Sequence, residues 1–542
     1  MIACMTHTAP VALYVKNTLN CGCFPSPLTA FSAPYHMTSQ PAIATLSLEW
    51  ENQVAWVPDV FACLWRTLEP LAGDILNDAW KGFAVPEAKV FEEMLRNASD
   101  GALPDHIANY LKGAEPLLGG VKCAVPASEA VQRAYVVAVC IDRAFEAIRP
   151  SAFRHPRVHA FNGSLGEFRR QWLTQGSYGR QPSVLGHVIP KGPLRRDRDE
   201  GGNGDNLENL FHNLVVALPS AFGSGHTFSV RVLPPDMSPQ VADDCRLGFV
   251  PLAESADDLR FTPRLLNGHP FLDVEPGDEA ALAGRARAAV GKLNAEGVKV
   301  VLFPELCVSP AIRAAIRDAL PLDGSLELLV LGSGASVDTD GNGRHYNECV
   351  VLNGSGEELW SQRKMNGYHM DSANMEKYGV TASVAGADHR EWTVSDKHMV
   401  IVDTADGRRI FVLICEDLNQ DKPGRLATRL LRPDWIFTPV LDGSLDVGRW
   451  TQRRGWDLSY EFGSRVVVCN SMTLHARFRK KDGSQPNTCG VGLCIDDKEA
   501  RRFHVATVSL SDASPVVSIV DWIAEDWKKA KVSAESPDPV MA

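Results

Sequence analysis

Three side chains in the second half of the sequence, Glu305, Lys364 and Cys415, have the types needed for attack on an amide carbonyl. Each stands at or just past the end of a stretch that reads as a β-strand. Cys415 closes the run Arg409-Ile-Phe-Val-Leu-Ile-Cys-Glu-Asp417, in which Ile410 to Ile414 have the β-branched and aromatic character of a buried parallel strand. In open α/β sheets the crevice beyond such strand ends holds the site. Taken alone, a cysteine there reads more readily as a core thiol, because cysteine is among the most buried residue types. The two other groups change that reading. A free thiol is only partly ionised at neutral pH and needs a base, which Glu305 supplies. When sulfur attacks a carbonyl, negative charge develops on oxygen, and the Lys364 ammonium can stabilise it. The backbone N–H of Glu416, immediately after the nucleophile, is a second donor.

The elements around these residues alternate. Leu247 to Leu252 reads as a strand, and Leu282, Ala286, Ala289, Val290 and Leu293 form one face of a helix ended by Gly297. Val298 to Phe303 is the strand that delivers Pro304 and Glu305. Ser309-Pro310 is an N-cap followed by a first-turn proline. Leu326 to Leu331 and Tyr346 to Leu352 are further strands, the latter turning through Asn353-Gly354-Ser355-Gly356 toward Lys364. Beyond Cys415 come a helix near Leu426 to Leu431, a strand at Trp435 to Thr438, a helix at Trp450 to Phe462 and a strand at Val466 to Cys469. Three β segments, Gly490 to Ile495, Phe503 to Leu510 and Val516 to Trp522, finish the pattern, which calls for an α/β fold with helix-covered sheets.

The N-terminal part differs. Residues 1 to 45 form a loose leader rich in Pro, Ser, Thr and Ala, within which Met37 is an alternative start. Residues 46–190 read as a helical domain, with Phe61, Leu64, Trp65 and Leu68 on one face and Ala127 to Ile148 as the longest helix. Lys191 to Asn206, rich in Gly and mixed charge, opens a linker and connecting segment over 191–240, in which Leu207 to Leu218 has helical spacing. The second domain is placed at 241–530, with a flexible tail at 531–542.

Composition bounds the partners. The chain has 542 residues, 45% of them hydrophobic, enough for a large core, and its net charge of -11 excludes the basic stripe of a nucleic-acid binder. The apolar stretch Ala134 to Ile141 is too short to span a bilayer, and no basic signal-peptide region opens the chain. A cytoplasmic protein is expected. The 13 cysteines are scattered, mostly inside apolar runs, as reduced thiols would be. Cys21-Gly-Cys23 is too tight for a normal zinc pair, Cys489 to Cys494 has no matching second pair, and His155 and His159 lack a third partner, so no metal or cofactor is expected.

In order and context, these residues resemble the nitrilase superfamily of carbon–nitrogen hydrolases over roughly Arg246 to Trp522. Its first motif is similar to Val301-Leu-Phe-Pro-Glu305-Leu, its second to Tyr346-Asn-Glu-Cys-Val-Val-Leu-Asn-Gly running to Arg363-Lys364, and its third to Val412-Leu-Ile-Cys415-Glu-Asp. The strand Val466-Val-Val-Cys-Asn470 after the helix Trp456 to Phe462 also fits. The resemblance implies a four-layer α-β-β-α sandwich, catalytic Glu305, Lys364 and Cys415, and no cofactor. It further implies Glu376, in Met375-Glu-Lys-Tyr, as a helping second glutamate, a small-molecule amide or nitrile substrate, and a homodimer or higher homo-oligomer. Two departures stand out: Asn366 where many members carry His, and a longer stretch from Ala253 to Asp278, which suggests a remodelled pocket edge or subunit contact. Three functions follow. An amidase-type hydrolase is favoured, because most of the superfamily acts on amides. A glutaminase-type ammonia donor is second; the Cys-Glu-Asp sequence resembles glutamine-dependent NAD synthetase, but no Ser-Gly-Gly-x-Asp-Ser motif is present, so the acceptor would be a separate chain. The third is a nitrilase-like scaffold whose helical domain binds a partner in a regulatory or defence role.

Overall fold

The computed structural model describes residues 56–533 except 73–85, 99, 112–128, 149–163, 193–206, 219–224, 242–244, 322–323, 479–482, 497–501 and 523–531. The leader with Met37, Cys21-Gly-Cys23, the pair His155 and His159, and most of the segment Lys191 to Asn206 lie outside the described residues.

Two large sheets carry the second half of the chain. In the first, the strands Arg246–Phe249, Val300–Leu302 and Leu328–Val330 pair in parallel, and His345–Asn353 and Glu358–Arg363 extend them antiparallel. In the second, Arg409–Val412, Trp435–Val440 and Arg465–Asn470 run parallel, bordered by Thr488–Asp496 and Arg502–Ser509. The short central strands are buried at every position, as strands covered on both faces must be.

Neighbouring residues show what covers each face. A Cβ on Gly248 would meet Leu293 of the helix Glu279–Ala295 at 2.9 Å, whereas a Cβ on Gly492 of the second sheet would meet the Phe249 ring at 2.7 Å. Because adjacent strand residues point to opposite faces, the first sheet has a helix on one side and the second sheet on the other. The second sheet repeats the arrangement. Gly455 of the helix Trp450–Phe462 packs on Val466 and Ile495, while Cys469 points its thiol at the Leu302 carbonyl, 3.4 Å away.

Before these sheets come the helices Val57–Leu68, Pro86–Asn97, Asp105–Leu111, Glu129–Ala144 and Ser164–Gln175. Among the described residues the longest α-helix is Glu279–Ala295; of the helix expected over Ala127 to Ile148, the described part is α-helical over Glu129–Ala144 and tightens to a 3-10 turn at Phe145–Ile148, residues 127 and 128 lying outside the described residues. The segment 191–240 is more than a connector. Thr227–Val232 pairs in parallel with His398–Asp403 as a further strand of the second sheet, and the helices share one buried apolar cluster with that sheet. Arg409, buried against Asp403, also donates to the Pro190 carbonyl at 3.1 Å.

One expected helix is not formed. Leu207–Leu210 is a 3-10 turn and Leu214–Ala217 a strand, paired antiparallel with His187–Pro190. The cause is tertiary. The buried Asp142 carboxylate accepts the backbone N–H groups of His212, Asn213 and Leu214 at 2.8, 2.9 and 2.8 Å, which withdraws them from any helix. The β-branched pair Val215 and Val216 then suits a strand.

Candidate active site

Cys415 stands where the strand Arg409–Val412 gives way to the helix Glu416–Asn419, with φ 47° and ψ −102°. A non-glycine residue rarely adopts positive φ, and here the sharp turn lifts the side chain off the sheet edge. Its own N–H is bound to the Pro439 carbonyl at 2.9 Å, so it cannot serve a substrate. The Glu416 N–H, first in its helix, has no intrahelical acceptor. The Glu416 side chain does not join the site; it is half-buried and accepts from Asn419 and Gln420.

Glu305 follows the strand Val300–Leu302 in a turn held by close backbone contact. Gly332, at φ 66°, leaves no room for a side chain, since a Cβ would lie 2.1 Å from the Pro304 carbonyl oxygen. The carboxylate is almost fully buried. Oε1 accepts from Lys364 Nζ at 2.7 Å and Asn347 Nδ2 at 3.0 Å, and Oε2 accepts from the Leu441 N–H at 3.1 Å. The Cys415 thiol lines the same cavity as this carboxylate, close enough for the Glu305 charge to raise it.

Lys364 extends from the end of the strand Glu358–Arg363, and its Nζ is shared between Glu305 and Glu391, the latter at 2.5 Å. Two of the three ammonium N–H donors are thereby occupied among the described residues, leaving one. Glu391 is held in turn by Asn347 Nδ2 at 2.8 Å and the Tyr368 N–H at 3.1 Å. Glu305, Lys364, Glu391 and Cys415 all line one cavity of about 210 Å³.

Electrostatics follow from burial. Burial, reinforced by the Glu305 charge, pushes the Cys415 thiol well above its ordinary value, so it is protonated at rest. Burial raises the Glu305 carboxyl, against the pull of Lys364 and with a further push from Glu391. Burial alone would lower Lys364, but Glu305, Glu391 and Cys415 together outweigh it, and the ammonium stays charged.

Glu376, expected as the second glutamate, is exposed on the helix Ser372–Lys377 and is not among the cavity residues. Its neighbours Asn374, Lys377 and Tyr378 do line the cavity. The second carboxylate beside Lys364 is Glu391, at the end of the short strand His389–Glu391. No sequence signal marks it apart from the need for a partner to a buried cation. Asn347 and Asp417 lie within the motif-like stretches, but their roles emerge only from contacts. Asn347 bridges Glu305 and Glu391, and Asp417 binds the backbone just past Lys364.

The long stretch from Ala253 to Asp278 forms the hairpin Leu259–Leu266 and His269–Pro276, turned by Asn267 and Gly268 at φ 50° and 78°. Its second strand pairs in parallel with His389–Glu391, placing Leu272 opposite Glu391. Phe261, Leu272 and Val274 form part of the cavity wall. The hairpin therefore lines one edge of the cavity and pairs with the strand bearing the second carboxylate. At the other departure, Asn366 Nδ2 donates to Asp417 at 3.0 Å.

Among the described residues, no group of three or more His, Cys, Asp or Glu is placed to hold a metal ion, and no helix is long and apolar enough to cross a membrane. No family model matches the chain, and no curated protein does. Solved structures do. Nit3 of Saccharomyces cerevisiae, described as a member of branch 10 of the nitrilase superfamily, is 14% identical over 53% of this chain and 92% of its own, with a TM-score of 0.33. An amidase from Nesterenkonia sp. is 15% identical over 53% of this chain and 93% of its own, also at 0.33. The structures this chain is similar to are nitrilase-superfamily members, at low identity and over about half its length.

Proposed function

We propose that the chain is a carbon–nitrogen hydrolase of the amidase type, built on a four-layer α-β-β-α sandwich and working through a thioester on Cys415. The observation that carries this is a thiol on a positive-φ turn in one cavity with a buried carboxylate that accepts from a lysine held between two glutamates. As sulfur bonds to the amide carbon, Glu305 takes the thiol proton. The carbonyl π electrons move to oxygen, and the remaining Lys364 N–H with the Glu416 N–H stabilise that oxyanion. Collapse breaks the carbon–nitrogen bond, and Glu305 returns the proton to the leaving ammonia or amine. Water then gives a proton to Glu305 as it attacks the thioester, and the second collapse releases the acid and restores the thiol. A carboxylate raised toward neutrality suits both directions of this proton transfer.

The test is acyl trapping. The protein is mixed with a panel of primary amides and quenched within one turnover, and Cys415 is read by mass spectrometry while ammonia is counted. The expected result is an acyl adduct on Cys415 matching the amide, with ammonia released in step. Undiminished ammonia release by Cys415→Ala, or turnover of nitriles but of no amide, would overturn this reading.

A further inference from the structure

We propose that His475 is a positioning residue for the catalytic cavity: as an imidazolium it donates from both ring nitrogens and braces the loop whose Leu441 N–H holds Glu305. Its effect on turnover rests on the amidase reading above. His475 is buried, 4% exposed, on the short helix Thr473–Arg477. Its Nδ1 lies 3.1 Å from the Gly443 carbonyl oxygen and its Nε2 3.0 Å from the Pro486 carbonyl oxygen. A carbonyl oxygen only accepts, and a neutral imidazole carries a single N–H, so both contacts are hydrogen bonds only in the doubly protonated ring. In the neutral ring one nitrogen lone pair would face a carbonyl oxygen, leaving two acceptors unmatched inside the protein. His389 is the contrast. It is buried and lines the cavity, and its Nδ1 faces the Ala387 carbonyl at 3.0 Å, but its Nε2 accepts the Ser383 N–H at 2.9 Å, so a neutral ring meets both contacts.

Gly443 belongs to the loop that follows the strand Trp435–Val440, and two residues before it the Leu441 N–H donates to Glu305 Oε2 at 3.1 Å. Asn470 fixes Asp442 by two bonds, at 2.8 and 3.0 Å, and the Leu445 N–H meets the Gly490 carbonyl at 3.1 Å. Between them the Gly443 carbonyl has the His475 ring and, more weakly, the Cys489 thiol at 3.9 Å. The loop also has little slack, since a Cβ on Gly443 would lie 2.5 Å from the Tyr378 hydroxyl oxygen. The charged groups on the surrounding elements are engaged elsewhere. Asp442 accepts from Arg449, from the Trp450 indole at 2.9 Å and from the Gly443 N–H at 2.6 Å, and the exposed Asp446 accepts the Ser444 hydroxyl at 2.9 Å. Arg477 donates to the Leu259 carbonyl at 3.2 Å, and the Lys377 ammonium lies 4.8 Å from the Tyr378 ring centroid. Burial pushes the Cys489 thiol up to about 12, so it stays neutral. Among the described residues no carboxylate bonds to the His475 ring, and the two carbonyls are what hold its second proton. Whichever carbonyl loses its donor when that proton leaves, the loop is no longer braced through the ring on Pro486.

The test reads the proton and its consequence separately. The protein is labelled with 15N-histidine, and the His475 resonances, identified by their loss in His475→Asn, are followed over roughly pH 5 to 8, where histidine exchanges its proton. Over the same range kcat and KM for a primary amide, and the rate at which iodoacetamide alkylates Cys415, are measured in wild type, His475→Asn and His475→Gln. An Asn amide nitrogen takes the place of Nδ1 and a Gln one that of Nε2, so Asn keeps a donor for Gly443 and Gln one for Pro486, neither of them titrating. Both His475 nitrogens should be protonated at the acid end. As the second proton leaves, wild-type kcat relative to His475→Asn should fall by about tenfold, the effect of losing one charge-assisted bond, with KM little changed and alkylation following kcat. His475→Gln should be slower than His475→Asn throughout. A ring with one protonated nitrogen over the whole range, which wild type alone reveals should the variants fail to fold, would overturn the proposal. So would parallel pH profiles in wild type and folded His475→Asn. If the wild type turns over no amide while alkylation still follows the His475 proton, the amidase reading fails and the bracing role stands.

Discussion

Asp417, two residues past the cysteine, accepts the backbone N–H of Met365, one residue past the lysine, at 3.1 Å on each carboxylate oxygen. It also accepts the Asn366 N–H at 2.7 Å and the Asn366 side chain at 3.0 Å. These bonds tie the end of the lysine strand in one sheet to the nucleophile turn of the other. Asp417 is thus a positioning residue acting through Lys364.

Its titration gives a test. Burial raises the Asp417 carboxyl from 3.8 to about 7, against the pull of the Met365 and Asn366 N–H groups and of Lys364. An acid whose folded value is raised stabilises the fold fully below its unfolded value and loses that contribution as pH rises to the folded one. The Tm difference between wild type and Asp417→Asn should therefore move in favour of the variant between pH 3.8 and about 7. The kcat difference should move the other way, because the ionised carboxylate is the better acceptor for the two N–H groups that place Lys364. Parallel trends in Tm and kcat would rule out the positioning role.

Glu391 carries the second prediction. As a base Glu305 must be ionised, and its raised value puts the acid limb of kcat/KM above the ordinary carboxylate range. Glu391 is one cause of that rise, so Glu391→Gln should shift the limb to lower pH while reducing kcat, since Lys364 loses an anchor. Glu376→Gln, on an exposed helix, should change neither. Similar losses in both variants would refute the assignment to Glu391.

The difference between Glu376 and Glu391 shows what the sequence could convey. Glu305 and Cys415 were legible because each follows a short apolar strand, and the ends of parallel strands converge on one edge, whereas Lys364, past an antiparallel strand of mixed polarity, was legible only through the motif it shares with the resembled family. Glu391 ends a three-residue strand fixed by its pairing with the hairpin on one side and His369–Met370 on the other, long-range contacts with no local periodicity. The strand Leu214–Ala217 was hidden for a similar reason. Its apolar spacing fits a helix, and only the buried Asp142, some 70 residues away in the chain, decides otherwise. Local pattern revealed the elements, while the polar contacts that override pattern were invisible.

The backbone at Cys415 gives a third expectation. Positive φ at a residue with a Cβ stores on the order of 1–3 kcal/mol, which glycine relieves, against roughly 0.5–1 kcal/mol of extra unfolded-chain entropy. Cys415→Gly should therefore melt at or above the Tm of Cys415→Ala, although both form no acyl adduct. A glycine variant melting several degrees below the alanine one would show that the turn is not strained.

Lys364 decides between catalysis and simple charge balance. Its ammonium lies between Glu305 and Glu391 at 2.7 and 2.5 Å, an arrangement that would stabilise the fold whether or not the third N–H meets an oxyanion. If it does meet one, Lys364→Gln should slow acylation of Cys415 by about a hundredfold or more, the usual effect of losing an oxyanion donor. Gln also leaves two buried carboxylates facing each other, so a lower Tm is expected too, and that variant alone does not separate the roles. Lys364→Arg does. A guanidinium keeps the positive charge and can satisfy both glutamates, so the Tm should largely recover. Its planar fork is larger than an ammonium and commits its donors in fixed directions, so none replaces the compact third N–H near the cysteine. Single-turnover labelling of Cys415 in the three proteins, beside their melting curves, reads the two effects apart. Recovered Tm with slow acylation supports the oxyanion role, whereas near-normal acylation in Lys364→Arg would reduce Lys364 to a counter-ion.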